Sequence, residues 1–304
     1  MVEKKLQEKY GSSAFEIGAT LQPLSFESDI RMFDEIDQNF AKVWLDFSTV
    51  GAGRRELLDL RTRLLVSIGQ FTMTKCLREL EDAIRAAVSA GVSVREVLEV
   101  ILQCTVYGGI TVARPAIEIF YRVVQELDLL EVLRESQLPL DGNDRNRCYE
   151  TELKEWHPDD VADPRFVDLM QRHGWLAVGS GLTVRPQHHL DALGWQDAMD
   201  PDWAGLWVRF CYQGMYSRGI IDERIRHLCM VGNCVAVGEI TQMRGHMRGA
   251  LRIGLPPREV LEVVFQSSIH FGMPLMIRAL QTLIKVLKET DRLAEIGGPV
   301  RPEE

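Results

Sequence analysis

Apolar side chains recur three and four positions apart through residues 57–69 and 72–90, and again through 220–232 and 235–253. That period puts them on one face of a helix, so four amphipathic helices are predicted. Gly91 and Gly254 follow the second and fourth of these, where a helix ends on a left-handed residue. The next helix opens at Ser93-Val94-Arg95-Glu96, a capping-box pattern, and in the later stretch at Pro256-Pro257, where proline suits the first turn. Further helices are predicted over residues 113–127 and 276–289. The alternation of Val, Ile and Thr with polar residues that marks a half-buried strand is missing. The pattern predicts an all-α fold.

The same pattern is written twice. A constant shift of 163 residues lays Tyr10-Gly11 on His173-Gly174, Gly18 on Gly181, Thr20 on Thr183 and Pro23 on Pro186. It lays Asp37, Trp44, Phe47, Gly51 and Arg55 on Asp200, Trp207, Phe210, Gly214 and Arg218. Asp59, Arg61 and Arg63 meet Asp222, Arg224 and Arg226, and Gly69 meets Gly232. The segment from Arg95 to Val100 repeats unchanged from Arg258 to Val263. One shift held over more than a hundred residues is the mark of a tandem duplication. The expected organisation is a first repeat at 1–134, a connector at 135–165, a second repeat at 166–290 and a flexible tail at 291–304. The connector is polar and clusters Pro, Gly, Asn and Asp, and the tail ends GGPVRPEE.

Composition narrows the function. The formal charge is −9 and no run of Lys or Arg stands out, which argues against nucleic acid as a partner. No apolar stretch is expected to cross a bilayer, and the opening MVEKKLQEKYGSS lacks the apolar core of a signal peptide. Six cysteines, at 76, 104, 148, 211, 229 and 234, form no CxxC pair. They read as reduced thiols in a cytoplasmic protein, with Cys104 and Cys234 as small buried hydrophobes.

One stripe carries candidate chemistry. Glu239, Gln242 and His246 stand at i, i+3 and i+7, on one face of one helix and close in angle to Val235, Ile240, Met243 and Met247. Polar groups on an inward face are either satisfied within the core or line a pocket. In the first repeat the same slots hold Cys76, Glu79 and Ala83. His270, between Ile269 and Phe271, has an apolar setting that favours a neutral base; the other reading is a buried histidine bonded to a carbonyl. Arg55, Arg61, Arg63, Arg218, Arg224 and Arg226 occur in both copies, which points to a scaffold role, although an arginine also suits a substrate carboxylate. Met243, Met247, Trp44 and Trp207 are expected in the core.

Each half, and most clearly the second, resembles the carboxymuconolactone decarboxylase family within the alkylhydroperoxidase-D-like superfamily. The likeness rests on His246, the small-residue helix after it, the stop at Gly254, the Arg258–Val263 segment, and His270 before Gly272-Met273-Pro274. It implies an all-α fold of two tandem repeats packed as a pseudo-twofold pair. The peroxidase branch carries C-x2-C-x3-H on this helix, and neither copy has that cysteine pair, so disulfide-based peroxide reduction is not expected. The decarboxylase branch places a glutamate where Gln242 stands; the first copy keeps Glu79 but has lost the histidine. The family's tyrosine before Gly-x-Pro is Tyr107 in the first copy and His270 in the second.

The resemblance implies a cofactor-independent lyase of the decarboxylase type, or an isomerase, acting on a small carboxylated or enolisable acid or lactone. His246 would be the acid/base, His270 and Glu239 would orient it or relay its proton, and Gln242 would donate to an enolate oxygen. His227 holds the slot of the peroxidases' relay glutamate; its plain reading is a surface histidine beside Arg226. His188 and His189 match a region near the family's pocket mouth. Glu79 and Tyr107 would complete a shared pocket across the pseudo-twofold. No metal or cofactor is implied, and the partners expected are a small-molecule substrate and other copies of the chain in a trimer. A binding or scaffold protein, or a cyclase-like helper, is the alternative.

Overall fold

The computed structural model describes residues 2–138, 161–184 and 186–297. The first repeat runs through α1 (Val2–Tyr10), α2 (Ser12–Leu21), α3 (Phe26–Ile36), α4 (Gln38–Leu45), α5 (Leu60–Thr74), α6 (Leu77–Ser89), α7 (Val94–Gln103), α8 (Thr105–Gly108), α9 (Ile110–Glu126) and α10 (Leu130–Glu135). The second runs through α11 (Pro164–His173), α12 (Trp175–Val184), α13 (Pro186–Met199), α14 (Pro201–Val208), α15 (Glu223–Val237), α16 (Ile240–Arg252) and α17 (Pro257–Glu289). No strand occurs among the described residues. The bounds of α5 and α15, and of α6 and α16, differ by 163 residues, so the duplication seen in sequence is a duplication of structure. The middle of the connector, residues 139–160, and the end of the tail, residues 298–304, lie outside the described residues.

Local chemistry accounts for the element ends. Asp59 and Asp222 cap α5 and α15, each accepting a backbone N–H at 2.7 Å. The capping box at Ser93 and Glu96 forms as the sequence predicts, and Pro257 stands in the first turn of α17. Gly91 and Gly254 take φ of 81° and 88°. Gly109 separates α8 from α9 at φ 69°, and its counterpart Gly272 kinks α17 at φ 80°. Without a Cβ, glycine reaches that region at no steric cost. The helices expected at 113–127 and 276–289 are therefore the later parts of longer units that pivot on these glycines. After α4 and α14 the chain widens into matching π-helical segments, Asp46–Gly53 and Arg209–Met215, which pattern reading did not anticipate.

α5 and α15 cross at the centre of the molecule, and the crossing is tight because Gly69 and Gly232 sit in it. A Cβ on Gly69 would come within 2.5 Å of the Asn233 side-chain amide, and one on Gly232 within 2.8 Å of Val66 Cγ1. Around the crossing one hydrophobic core joins both repeats, with Leu65, Ile68, Ile84 and Val97 packed in the same cluster as Leu228, Val231, Val263 and Leu283. Two smaller clusters, built on Phe15, Phe26 and Ile30 and on Phe166, Leu182 and Leu193, hold the N-terminal helices of each repeat in place.

Duplicated arginines lock the pair. Arg55 Nε bonds both oxygens of Glu262 at 2.8 Å, and Arg218 Nε bonds Glu99 at 2.8 Å, each reaching into the other repeat. Arg224 bonds Glu259 at 2.8 Å within its repeat, as Arg61 does Glu96. The third pair breaks the symmetry. Arg226 is buried on Glu99 at 2.9 Å and Gln103 at 2.8 Å, whereas among the described residues Arg63 bonds only the carbonyls of Ala52, Gly53 and Arg55.

The expectation that no stretch could span a bilayer needs correction on length alone. α17 has 33 residues and an 18-residue window of mean hydropathy 1.4, enough by length and composition. It is kinked at Gly272, and Val260, Val263, Val264, Leu283 and Val286 are buried in the shared core.

Candidate active site

The stripe on α16 descends from surface to interior. Glu239 is exposed, Gln242 half-buried and His246 fully buried. Glu239 is the N-cap of the helix: its Oε1 accepts the N–H groups of Thr241 and Gln242 at 3.0 and 3.3 Å. That capping bond holds one carboxylate oxygen at the helix end, two turns away from His246, so it does not orient the imidazole as the sequence suggested.

The partner of His246 comes from the first repeat. Tyr107, on α8, places its hydroxyl 3.0 Å from His246 Nε2. The Tyr216 hydroxyl donates to that of Tyr107 at 3.0 Å, so the two tyrosines and His246 form a chain of hydrogen bonds. Tyr216 follows directly on the π-helical segment, whose wider turn carries Cys211 and Tyr212 into the same wall. Tyr212 lies edge-on to Tyr216 and Trp207, with ring centroids 5.5 and 5.3 Å apart.

These residues enclose a cavity of about 300 Å³ lined by Tyr107, Trp207, Tyr212, Tyr216, Asn233, Cys234, Glu239 and Gln242. Tyr107 forms the wall and His246 stands behind it. Trp207, expected in the core, is a half-buried wall residue. Cys234 is buried as expected and also faces the cavity.

His270 does not belong to this cavity. It lines a second one of about 360 Å³, with Cys76, Glu79, Ala83, Arg63, Trp44, Phe71 and Gln266. The cause is the pseudo-twofold. The residue before each Gly-x-Pro position crosses to the polar helix of the opposite repeat, so Tyr107 reaches His246 while His270 reaches the slot of Ala83. Sequence adjacency suggested that His246 and His270 converge; the crossing sends them to different cavities. Glu79 likewise shares a cavity with His270 and not with Tyr107. Burial lowers the His270 pKa to about 4, so the ring is neutral near pH 7, and it lies edge-on to Phe71 at 4.7 Å.

Two further candidates lie behind the walls. His227 is buried, not at the surface, and Nδ1 donates to the Glu223 carbonyl at 2.8 Å. Desolvation brings its pKa down to about 4. His189 is fully buried against Gly181 and edge-on to Tyr212 at 4.3 Å, one layer behind the cavity wall; its counterpart is Phe26. The side chain of His188 lies outside the described residues. Among the described residues no three His, Cys, Asp or Glu side chains are grouped to hold a metal ion.

The fold and site define a duplicated all-helical protein whose two cavities are each assembled from both repeats, one of them around a tyrosine–histidine pair. The chain belongs to the carboxymuconolactone decarboxylase family, which matches it twice, over residues 38–121 and 201–285. It is also similar to an uncharacterized 15.0 kDa protein of Paracoccus denitrificans, at 31% identity over 127 residues. That match spans 95% of the relative and 41% of this chain, the proportion of one repeat to two.

Proposed function

We propose that the Tyr107–His246 cavity carries out cofactor-independent acid/base chemistry on a small carboxylated or enolisable acid or lactone, as a decarboxylase-type lyase or an isomerase. The observation that supports it most is the 3.0 Å hydrogen bond between Tyr107 and His246, made across the repeats at a cavity wall. In this reading the Tyr107 hydroxyl gives its proton to the substrate carbon and recovers one from solvent by way of His246, which takes it up at Nε2 as a transient imidazolium and passes it to the phenolate. For a decarboxylation, the bond to the carboxylate breaks, its electron pair forms an enolate, CO2 leaves, and the proton from Tyr107 quenches the carbanion. Gln242, half-buried in the wall, donates to the enolate oxygen. No electron acceptor is required.

The test is to incubate the protein in D2O with a panel of β-keto acids and unsaturated lactones, following CO2 release and deuterium incorporation by NMR. Turnover or exchange that disappears in His246→Ala supports the reading. Full activity in that variant, or none with any member of the panel, would favour the alternative of a binding protein.

We further propose that copies of the chain assemble, as a trimer, through two matching apolar faces. Met32, Ile36, Phe40 and Val43 are exposed on α3 and α4, and their counterparts Trp195, Met199, Trp203 and Leu206 are exposed on α13 and α14. Contiguous apolar surface of this kind marks an interface. Light scattering checks it, and a monomer would overturn it. The cytoplasm is the compartment proposed, in keeping with the free thiols at Cys104 and Cys229.

A further inference from the structure

The cavity without the tyrosine–histidine pair is the larger of the two, about 360 Å³ against 300 Å³. Ala83 stands in the slot that His246 holds behind the wall of the other cavity, so that histidine is missing here while the space remains. Its walls are apolar over one side, formed by Phe26, Ile30, Phe33, Trp44 and Phe71.

Other lining residues are polar and incompletely satisfied. Arg63 is buried, and no carboxylate among the described residues bonds it. Its counterpart Arg226 takes Glu99, but the equivalent carboxylate Glu262 has both oxygens on Arg55. The Nη groups of Arg63 donate to three carbonyls, and its Nε is buried with no partner among the described residues. Next to it, Gln266 donates through Nε2 to the Arg63 carbonyl at 2.9 Å and to Ser67 at 2.8 Å, leaving Oε1 buried without a donor. Arg63 and Gln266, which carry this unmatched donor and this unmatched acceptor, both line the cavity, with the two atoms just beneath its surface. Half-buried Glu79 and the Asp29–Arg78 pair also line it, which disfavours a second acid group on the ligand.

We propose that this cavity is a second, non-catalytic binding site for a small hydroxy monocarboxylic acid with an apolar body. A side-chain shift brings Arg63 and Gln266 Oε1 to the cavity surface, where the carboxylate accepts from Arg63, the hydroxyl donates to Gln266 Oε1, and the body packs on the aromatic residues. Charge-assisted pairing of a carboxylate with arginine supplies the selectivity for an anion. The proposal does not depend on the chemistry assigned to the Tyr107–His246 cavity and holds even if that cavity is inert.

The probe is 3-phenyllactate, titrated calorimetrically into the full chain beside 3-phenylpropionate, which lacks the hydroxyl, and 3-phenyllactamide, which lacks the charge. Each analogue is expected to bind about tenfold more weakly, the worth of one good hydrogen bond in a buried site. The indole NMR signals of Trp44 and Trp207, assigned with Trp44→Phe and Trp207→Phe, report which cavity fills, and Trp44 is expected to shift. Arg63→Gln should abolish binding. Because Arg63 also ties down three carbonyls, Ala83→Leu provides an independent variant that fills the cavity and leaves Arg63 alone. No binding by about 10 mM, a shift of Trp207 alone, equal affinity for the amide, or unchanged affinity in Ala83→Leu would each overturn the proposal.

Discussion

Tyr107 and His246 are 139 residues apart, belong to different repeats, and meet hydroxyl to Nε2 at 3.0 Å. If this pair carries the chemistry, the two residues differ in how they fail. His246→Ala is expected to lower turnover by about 10²–10⁴-fold, the span of a positioned acid/base. Tyr107→Phe removes the hydroxyl at the cavity wall and is expected to cost as much while leaving the fold within about 1 kcal/mol of wild type. Denaturant melts alongside rates of deuterium exchange separate the two effects. A Tyr107→Phe protein with wild-type exchange would remove the hydroxyl from the mechanism.

Tyr216 is expected to set the His246 tautomer. Its hydroxyl donates to that of Tyr107, which favours donation from Tyr107 to Nε2 and hence a proton on Nδ1. Long-range ¹H–¹⁵N correlation should show an unprotonated Nε2 in the wild type. In Tyr216→Phe, Tyr107 is released from that constraint and the two tautomers should mix. Unchanged nitrogen shifts would show that Tyr216 only fills space.

Stability should fall in mild acid. His227 and His270 have folded-state pKa values of about 4, below the ordinary 6.5, because burial disfavours the charged ring. The unfolded chain then binds more protons between those values, so stability is full above about pH 6.5 and is lost as pH falls towards 4. The loss is up to about 3 kcal/mol per histidine across that window. His227→Leu copies the Leu64 of the first repeat and should flatten the decline, measured as the difference in urea midpoint between pH 7 and 4.5. An unaltered slope in the variant would contradict the buried neutral state.

Gly232→Ala is expected to destabilise by about 1–3 kcal/mol, the cost of overpacking a tight contact. The new methyl would come within 2.8 Å of Val66 Cγ1 and 3.4 Å of Gln70 Cγ. Gly91→Ala meets no atom within 4 Å but suffers at φ 81°, so it separates steric crowding from backbone strain. Thermal melts of both variants give the comparison. A neutral Gly232→Ala would mean that α5 and α15 can move apart freely.

Much of this architecture was legible because it is local. Helical periodicity, the capping box at Ser93 and the glycine stops are short-range signals, and the constant 163-residue shift turned two sets of them into a repeat. The helices of the N-terminal third in each repeat were not anticipated, nor were the π-helical segments that bring Tyr212 and Tyr216 into the wall. The shift does set Tyr212 against Thr49 and Tyr216 against Gly53, an asymmetry that could have marked them. Placement of His270 was beyond local reading, since it depends on how α8 and its counterpart cross the pseudo-twofold. The capping role of Glu239, beside its place in the cavity lining, was not read from the sequence, because an N-cap carboxylate and a catalytic one share a residue type. Only the backbone around them tells them apart.

Each cavity draws on both repeats, and this separates what the gene copied from what the protein uses. Duplication copied a run of sequence, but neither copy contains a whole site. A substitution at position 107 alters the cavity beside the second repeat's α16, and one at 270 alters the cavity beside the first repeat's α6. Drift in either copy is therefore felt in the other's chemistry. Two sites that began alike could specialise apart within one chain, with no second gene to keep the ancestral function.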